Sequence, residues 1–377
     1  METKRVKIED TARIHDRELL EAAEILREGG LVAFPTETVY GLGANALDEE
    51  AAKRIYAAKG RPSDNPLIAH ISCMEELPAI VKEIPEAGRK LAEKYWPGPL
   101  TMIFPKKDIV PYGTTGGLDT VAVRMPVDPV ANCLIHLAGV PIAAPSANTS
   151  GRPSPTKAEH VIEDMDGKIE MIIDGGAVGI GVESTIVDVS GDVPTLLRPG
   201  AITMEMLRET VGRVEIDPAI QAPPSADLRP KAPGMKYRHY APTAPMLLVE
   251  GPEASLGLIR LAIMAEAHGL RTGVIALKAT VDHFPKGGNF VIHNGGATLE
   301  AYAGTLFHDL RAFDSEGVDL ILGEGVREDQ MGLAIMNRLR KSAGHNIIWA
   351  EGGLLYHRSG AVPECLRTLV MEGMPER

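Results

Sequence analysis

The chain reads as a two-domain α/β protein, with an N-terminal twisted mixed sheet carrying helices and a smaller C-terminal Rossmann-like α/β domain, joined by a proline-rich linker. Three observations predict this. A length of 377 residues exceeds what one hydrophobic core usually serves. Strand-length apolar runs alternate with helical-period runs in both halves, and some strand runs fall next to each other, which implies a sheet of mixed direction. Between the halves, residues 212–245 carry Pro218, Pro223, Pro224, Pro230, Pro233, Pro242 and Pro245. Repeated fixed φ angles and missing N–H donors stop helix or sheet from propagating there.

The elements follow in order. Leu19, Ala22, Ala23 and Leu26 recur at helical spacing, and Gly29-Gly30 stops that helix before a strand at 31–34. Apolar periodicity then predicts a helix at 51–58, a strand at 66–71, a helix at 84–95, strands at 100–104 and 120–124, and a helix at 130–138. A strand at 141–144, a helix at 157–165 and strands at 171–174 and 184–189 complete the first half. In the second half MLLVEG, RTGVIALK, NFVIHNG and DLILGEG read as strands. Two amphipathic helices lie between them, one with Tyr302, Leu306, Leu310 and Phe313 on one face, and MGLAIMNRLRKSAG closes the unit as a last helix. The expected divisions are 15–211, the linker 212–245, the second domain 246–350 and a tail 351–377 of unknown role.

Composition narrows the function classes. Hydrophobic residues at 44% can fill two cores, but aromatics at 4% leave the packing to Ala, Val, Ile and Leu. Lys plus Arg at 39 against Asp plus Glu at 51 gives a net charge of −12, so the average surface repels a polyanion and no stable nucleic-acid binding is expected. Cys73, Cys133 and Cys365 stand apart with no C-x-x-C spacing, which reads as buried thiols in a reducing compartment and no zinc module. The opening METKRVKIED has no apolar stretch, and no run approaches the roughly 18 apolar residues of a membrane span, so a cytoplasmic protein without membrane attachment is expected. G-x-S-x-G, H-E-x-x-H and G-x-x-x-x-G-K-[ST] are all absent, which gives no sign of a covalent enzyme intermediate. The second domain has no G-x-G-x-x-G after its first strand.

Two segments carry phosphate-binding chemistry. In LVAFPTETVYGLGANALDEEAAKRIYAAKGRPSDNPLIAH an apolar strand empties into a hydroxyl-rich turn, then a helix, then Lys59 and Arg61. The pair would diverge by about 200° on a regular helix, but Pro62 biases Arg61 away from helical backbone, so both can turn toward one ligand. Arg forks and Lys point charges suit a triphosphate, and Asn65 adds side-chain donors. In VPIAAPSANTSGRPSPTKAEH a second strand empties into a run of donors at Ser146 and Asn148, extended by Ser154. Arg124 ends the strand TVAVR, Arg198 lies in LLRPG, and His70 sits in an apolar strand.

PTETVYGLG, KGRPSDNPLI, WPGPLT, TVAVRMP, PSANTSGRPSPT, GVESTIVD and LLRPG, in this order, resemble the YrdC-type threonylcarbamoyl-AMP synthases, and KYRHYAP with a further domain resembles the long, two-domain form. That resemblance implies a nucleotidyltransferase forming L-threonylcarbamoyl-AMP and pyrophosphate from L-threonine, bicarbonate and ATP, for threonylcarbamoyladenosine modification of tRNA. It assigns threonine to Thr38, His70, Arg124, Ser184 and the Ala144 backbone, with Thr36 a rival to Thr38. It assigns ATP to Lys59, Arg61, Asn65, Thr120, Ser146, Asn148, Ser154 and Arg198, with Lys59 and Arg61 also catalytic. In KYRHYAP, Tyr237, with Tyr240 as alternative, would touch the nucleotide from a strap over the cleft. Mg2+ would be held mainly through ATP phosphates, and the product would pass to a tRNA threonylcarbamoyl transferase. Two other classes stay open: an RNA-binding module, and a carbamoyltransferase resembling hydrogenase-maturation proteins, whose paired C-x-x-C motifs are missing here.

Overall fold

In a computed structural model, which describes residues 2–8, 17–220, 230–236, 239–360 and 367, the chain divides into two units. One comprises Met1–Ser150 with Ser154–Tyr237, the other Gly151–Pro153 with Arg238–Arg377. The first is built on an eleven-stranded mixed sheet in the order Lys4–Lys7, Met171–Asp174, Val32–Phe34, Gly41–Asn45, Ile142–Ala143, Ile68–His70, Thr120–Arg124, Leu100–Pro105, Thr185–Asp188, Thr195–Arg198, Glu215–Ile216.

Its helices start and stop where their caps dictate. Asp48 accepts from the N–H groups of Glu50 and Ala51 to open Glu49–Lys59, and Gly60 at φ 62° closes it. Asp128 does the same for Pro129–Ala138, which Gly139 ends at φ 66°. The apolar stripe read from Leu19, Ala22, Ala23 and Leu26 belongs to helix Arg17–Arg27 and is buried with Val130, Ala131, Leu134 and Ile135 over Val32, Phe34, Met171 and Ile173. The nine of these twelve side chains larger than alanine each contribute about 1.5–3 kcal/mol on full burial, so this layer anchors one half of the sheet.

Several strands escape the sequence reading. Lys4–Lys7 pairs in parallel with Met171–Asp174, but only Val6 of the four is buried, so an edge strand looks like a charged tail. Gly41–Asn45, given no strand between the predicted strand at 31–34 and helix at 51–58, is a buried strand: a Cβ on Gly43 would meet the Phe34 ring at 2.6 Å. The glycine serves close approach between neighbouring strands.

The second unit holds six strands in the order Phe290–Asn294, Thr272–Ala276, Leu320–Glu324, Met246–Glu250, Ile347–Glu351, Leu354–Ser359, the first five parallel and the last antiparallel. Helix Ala254–Ala267 buries Leu258, Leu261, Ala262 and Ala265 against it, and helix Leu299–Glu316 buries Tyr302, Leu306, Leu310 and Phe313. The sheet therefore runs past 350, where a tail was expected. Gly352 and Gly353 both take positive φ, 60° and 72°, the primed two-residue turn that matches strand twist in a hairpin. Beyond the carboxyl ends of Met246–Glu250 and Leu320–Glu324 lies a crevice of about 680 Å³. Arg340 in its wall is clasped by Glu250 at 2.8 and 2.9 Å and by Glu328 at 2.6 Å, so the crevice offers carboxylates where a dinucleotide's phosphates would need donors. Among the described residues no helix is long and apolar enough to cross a membrane.

Candidate active site

Strand period places the site. Side chains two apart share a face of a sheet, so Thr120, Ala122 and Arg124 point one way along their strand, as do Ile68 and His70, and Thr101 and Ile103. Register sets them side by side: His70 and Thr101 both lie opposite Arg124, and Ile68 and Ile103 both lie opposite Ala122. The face thus has an apolar floor of Ile68, Ala122, Ile103, Ile186 and Leu197, and a polar end. Ala232 and Met235, from the proline-rich segment, pack onto that floor. Lys236 beside them reaches Asp64 at 3.2 Å.

At the polar end Arg124 is 4% exposed. Its guanidinium donates to Thr38 Oγ1 at 2.9 Å, to Glu37 Oε1 at 2.6 Å and to the Gly98 carbonyl at 3.3 Å. Thr36 and Thr38 divide the labour of their turn. The Thr36 hydroxyl donates to the Val39 carbonyl at 2.7 Å and accepts from the Thr38 and Val39 N–H groups, so it staples the turn, whereas Thr38 faces the arginine. On the neighbouring strand Thr101 and Ser184 share a hydrogen bond of 2.7 Å, and Arg198 donates to Ser184 Oγ at 3.0 Å and to the Ser184 carbonyl at 2.9 Å.

His70 is buried, and its Nδ1 lies 3.0 Å from the Ile68 carbonyl and 3.3 Å from that of Ile142. Burial first, and the Arg124 charge second, push its pKa down to about 3. The ring is neutral at pH 7, with Nδ1–H donating to the carbonyls and Nε2 left as an acceptor. Ala144 follows on, its N–H donating to the Ile68 carbonyl at 2.9 Å.

The second group gathers around the PSAN turn. Lys59, 2% exposed, donates from Nζ to the carbonyls of Ser146 and Asn148. Ser146 Oγ donates to Asn148 Oδ1 at 2.5 Å, and Asn148 Nδ2 donates to the Thr149 carbonyl at 2.8 Å. Backbone bonds from Leu42 to Pro145 and from Ala147 to Tyr40 tie this turn to the PTETVYG segment that also carries Thr38. Ser154 donates to Glu183 Oε1 at 2.6 Å, next to Ser184.

Other expected residues part company. Lys59 and Arg61 do not turn to one point: Arg61 Nη2 lies 3.3 and 3.1 Å from the carbonyls of Asn65 and Pro66 in its own turn, while Lys59 reaches across to PSAN. Thr120 sits at the far end of the strand from Arg124, about 13 Å away at the usual rise per residue. It shares that end with Asn65, whose Oδ1 is buried with no hydrogen-bond partner among the described residues. Tyr237 lies outside the described residues. Tyr240 stacks on Phe307 with ring centroids 4.9 Å apart and is 4% exposed, so its ring is committed to the second unit's core. Cys73 and Cys133 are half-buried, not buried as expected, and burial raises both thiols, which disfavours reactive thiolates; Cys365 lies outside the described residues.

Glu37 and Thr101 complete the site and were missed in the sequence. A carboxylate beside an arginine expected to hold an anion looks wrong for the purpose, and Thr101 carries no local mark; its place opposite Arg124 comes only from sheet register.

Residues 24–200 match the Sua5_yciO_yrdC family model, described as telomere recombination, and residues 202–344 match the Sua5_C model, described as threonylcarbamoyl-AMP synthase, C-terminal domain. A Pyrococcus abyssi threonylcarbamoyl-AMP synthase is 53% identical over 89% of this chain and 97% of its own length. One from Bacillus subtilis is 47% identical over 92% of this chain and 100% of its own length. A crystal structure of P. abyssi Sua5 complexed with L-threonine superimposes with a TM-score of 0.85 at 49% identity, covering 93% of this chain and 100% of that one.

Proposed function

This chain belongs to the two-domain threonylcarbamoyl-AMP synthase family, and on that premise we propose that it joins L-threonine, bicarbonate and ATP into L-threonylcarbamoyl-AMP and pyrophosphate. One observation carries the reading: a single sheet face lines up Thr38, Arg124, Thr101, Ser184 and Arg198 by hydrogen bonds and register, with the PSAN turn fastened alongside. The threonine carboxylate rests on Arg124 and Thr38. His70 Nε2 accepts a hydrogen bond from the substrate. The amine captures the bicarbonate carbon as a carbamate, whose oxygen attacks the α-phosphate of ATP held by Arg61, Asn65, Thr120, Ser146, Asn148, Ser154 and Arg198, with Lys59 bracing PSAN and adding its charge.

No protein nucleophile is needed, so catalysis consists of positioning and charge stabilisation. Among the described residues no three His, Cys, Asp or Glu side chains gather to hold a metal. Mg2+ would come with the triphosphate of ATP and supply neutralisation of its charge. The product passes in the cytoplasm to a tRNA threonylcarbamoyl transferase, and no stable tRNA complex forms. Incubation with isotope-labelled bicarbonate, threonine and ATP, read by mass spectrometry, should give a labelled adenylate without any tRNA. An unlabelled adenylate, or one made only with tRNA present, overturns the reading in favour of an RNA-dependent activity.

A further inference from the structure

Resting on the reaction above, we propose that Glu37 is its general base: Oε2 accepts the α-ammonium of threonine and removes a proton from it. Glu37 sits in the PTET turn with its backbone carbonyl accepting from Ile180 N–H at 2.9 Å, so the loop leading to Ser184 fixes it. Its Oε1 holds Arg124 at 2.6 Å, with the two side chains 13% and 5% exposed. Its Oε2 is buried with no hydrogen-bond partner among the described residues. Buried carboxylate oxygens nearly always find donors, so this one points to a donor that arrives with the ligand.

An α-amino acid supplies that donor in the required place. Its carboxylate and ammonium hang on one carbon, so a carboxylate resting on Arg124 brings the ammonium within reach of an oxygen already held against the same guanidinium. The other charged and titratable groups nearby do not compete for the ammonium. Asp128 Oδ1 accepts from Val130 and Ala131 N–H as a helix cap, Arg124 is paired, and His70 is neutral.

The chemistry requires such a group, because an ammonium has no lone pair. Glu37 takes one proton and leaves a free amine. That amine forms the C–N bond to the bicarbonate carbon, the C–O bond breaks, and the departing hydroxide takes the second amine proton and leaves as water. The proton on Glu37 then passes to solvent, so threonine plus bicarbonate gives carbamate, water and one proton.

Glu37→Gln keeps an amide oxygen for Arg124 but cannot take a proton. Its kcat at pH 7 should fall by about 10²–10⁴-fold, the usual range for a general base. The residual rate should climb about five- to tenfold in total from pH 7 to pH 9, as solution deprotonates an amine of pKa about 8, while wild type stays flat. Threonine affinity by calorimetry should change much less than kcat. Glu37→Asp, which keeps the charge, should retain the wild-type pH profile at reduced rate, and decides the matter if the glutamine variant does not fold. A glutamine variant within threefold of wild type, or a loss equal at pH 7 and pH 9, overturns the assignment and leaves Glu37 as a prop for Arg124. Wild-type enzyme that incorporates no labelled bicarbonate would instead remove the reaction itself, so the two failures are distinguishable.

Discussion

Lys59→Met should lower the stability of the nucleotide-free protein, not only its turnover. The ammonium is 2% exposed and spans two carbonyls, those of Ser146 and Asn148, so it cross-links the end of helix Glu49–Lys59 to the PSAN turn. Hydrogen bonds to a charged group are worth about 1.5–3 kcal/mol each, so losing two costs about 3–6 kcal/mol. Methionine fills a similar volume and relieves the desolvation of a buried charge, which returns part of that and leaves a net of about 2–4 kcal/mol. In a unit of this size each kcal/mol moves Tm by about 2–4 °C, so thermal unfolding without nucleotide should begin about 4–16 °C lower. Hydrogen exchange across 145–150 should accelerate together with it. If Lys59 served only the phosphates of ATP, removing a buried charge would leave the free protein as stable as wild type or more so; an unchanged or raised Tm with lost turnover refutes the cross-link.

The buried neutral His70 has its folded pKa pushed down to about 3, so its contribution to stability is present above the unfolded pKa of about 6.5 and is lost as pH falls through the window below it. Denaturant unfolding between pH 7 and 4 should show a slope approaching about 1.4 kcal/mol per pH unit that His70→Gln flattens, and equal slopes in both proteins would exclude this origin. His293 behaves oppositely: the Asp309 hydrogen bond at 2.9 Å first, then Glu316, raises its pKa, so its contribution is full below the unfolded value and declines as pH rises through the folded one. His293→Gln should remove that alkaline loss of stability in the second unit, and its persistence in the variant would assign the loss elsewhere. Thr120→Val, about 13 Å along the strand from Arg124, should raise the KM for ATP severalfold and leave the KM for threonine alone; the reverse pattern would relocate the nucleotide.

Helix Pro129–Ala138 was legible because Asp128, Pro129 and Gly139 each state a boundary in local chemistry. Leu100–Pro105 and Thr120–Arg124 were legible because a central strand is buried on both faces and so carries an uninterrupted apolar run, Met102 to Phe104 and Val121 to Val123. Lys4–Lys7 was not, since an edge strand buries one side chain in four, and Gly41–Asn45 was hidden because glycine chosen for close packing is written like glycine chosen for a turn. At the site, residues inside dense motifs were found and those defined by register were lost. Thr101 becomes visible only when two antiparallel strands place it opposite Arg124, and that pairing joins residues 23 apart. The divergence of Lys59 and Arg61 was hidden for a related reason: backbone bias at Pro62 tells where Arg61 can start, not that the carbonyls of Asn65 and Pro66 will take its guanidinium.

How the cations are held bears on how a chain of net charge −12 could manage anionic substrates. Lys59 rests on the Ser146 and Asn148 carbonyls, Arg61 on those of Asn65 and Pro66, and Arg198 on the carbonyl and hydroxyl of Ser184. Side chains fixed in this way are already oriented and need no reorganisation when charge moves in the transition state. Arg124 is different, because Glu37 sets a full negative charge against it at 2.6 Å. A guanidinium with its carboxylate is nearly neutral as a pair and presents one donor fork beside one acceptor. That is poor for a triphosphate and complementary to a zwitterion. In the proposed reaction the Arg124–Glu37 pair therefore takes the amino acid, whose own charges mirror it, and leaves the triphosphate to the groups around the PSAN turn.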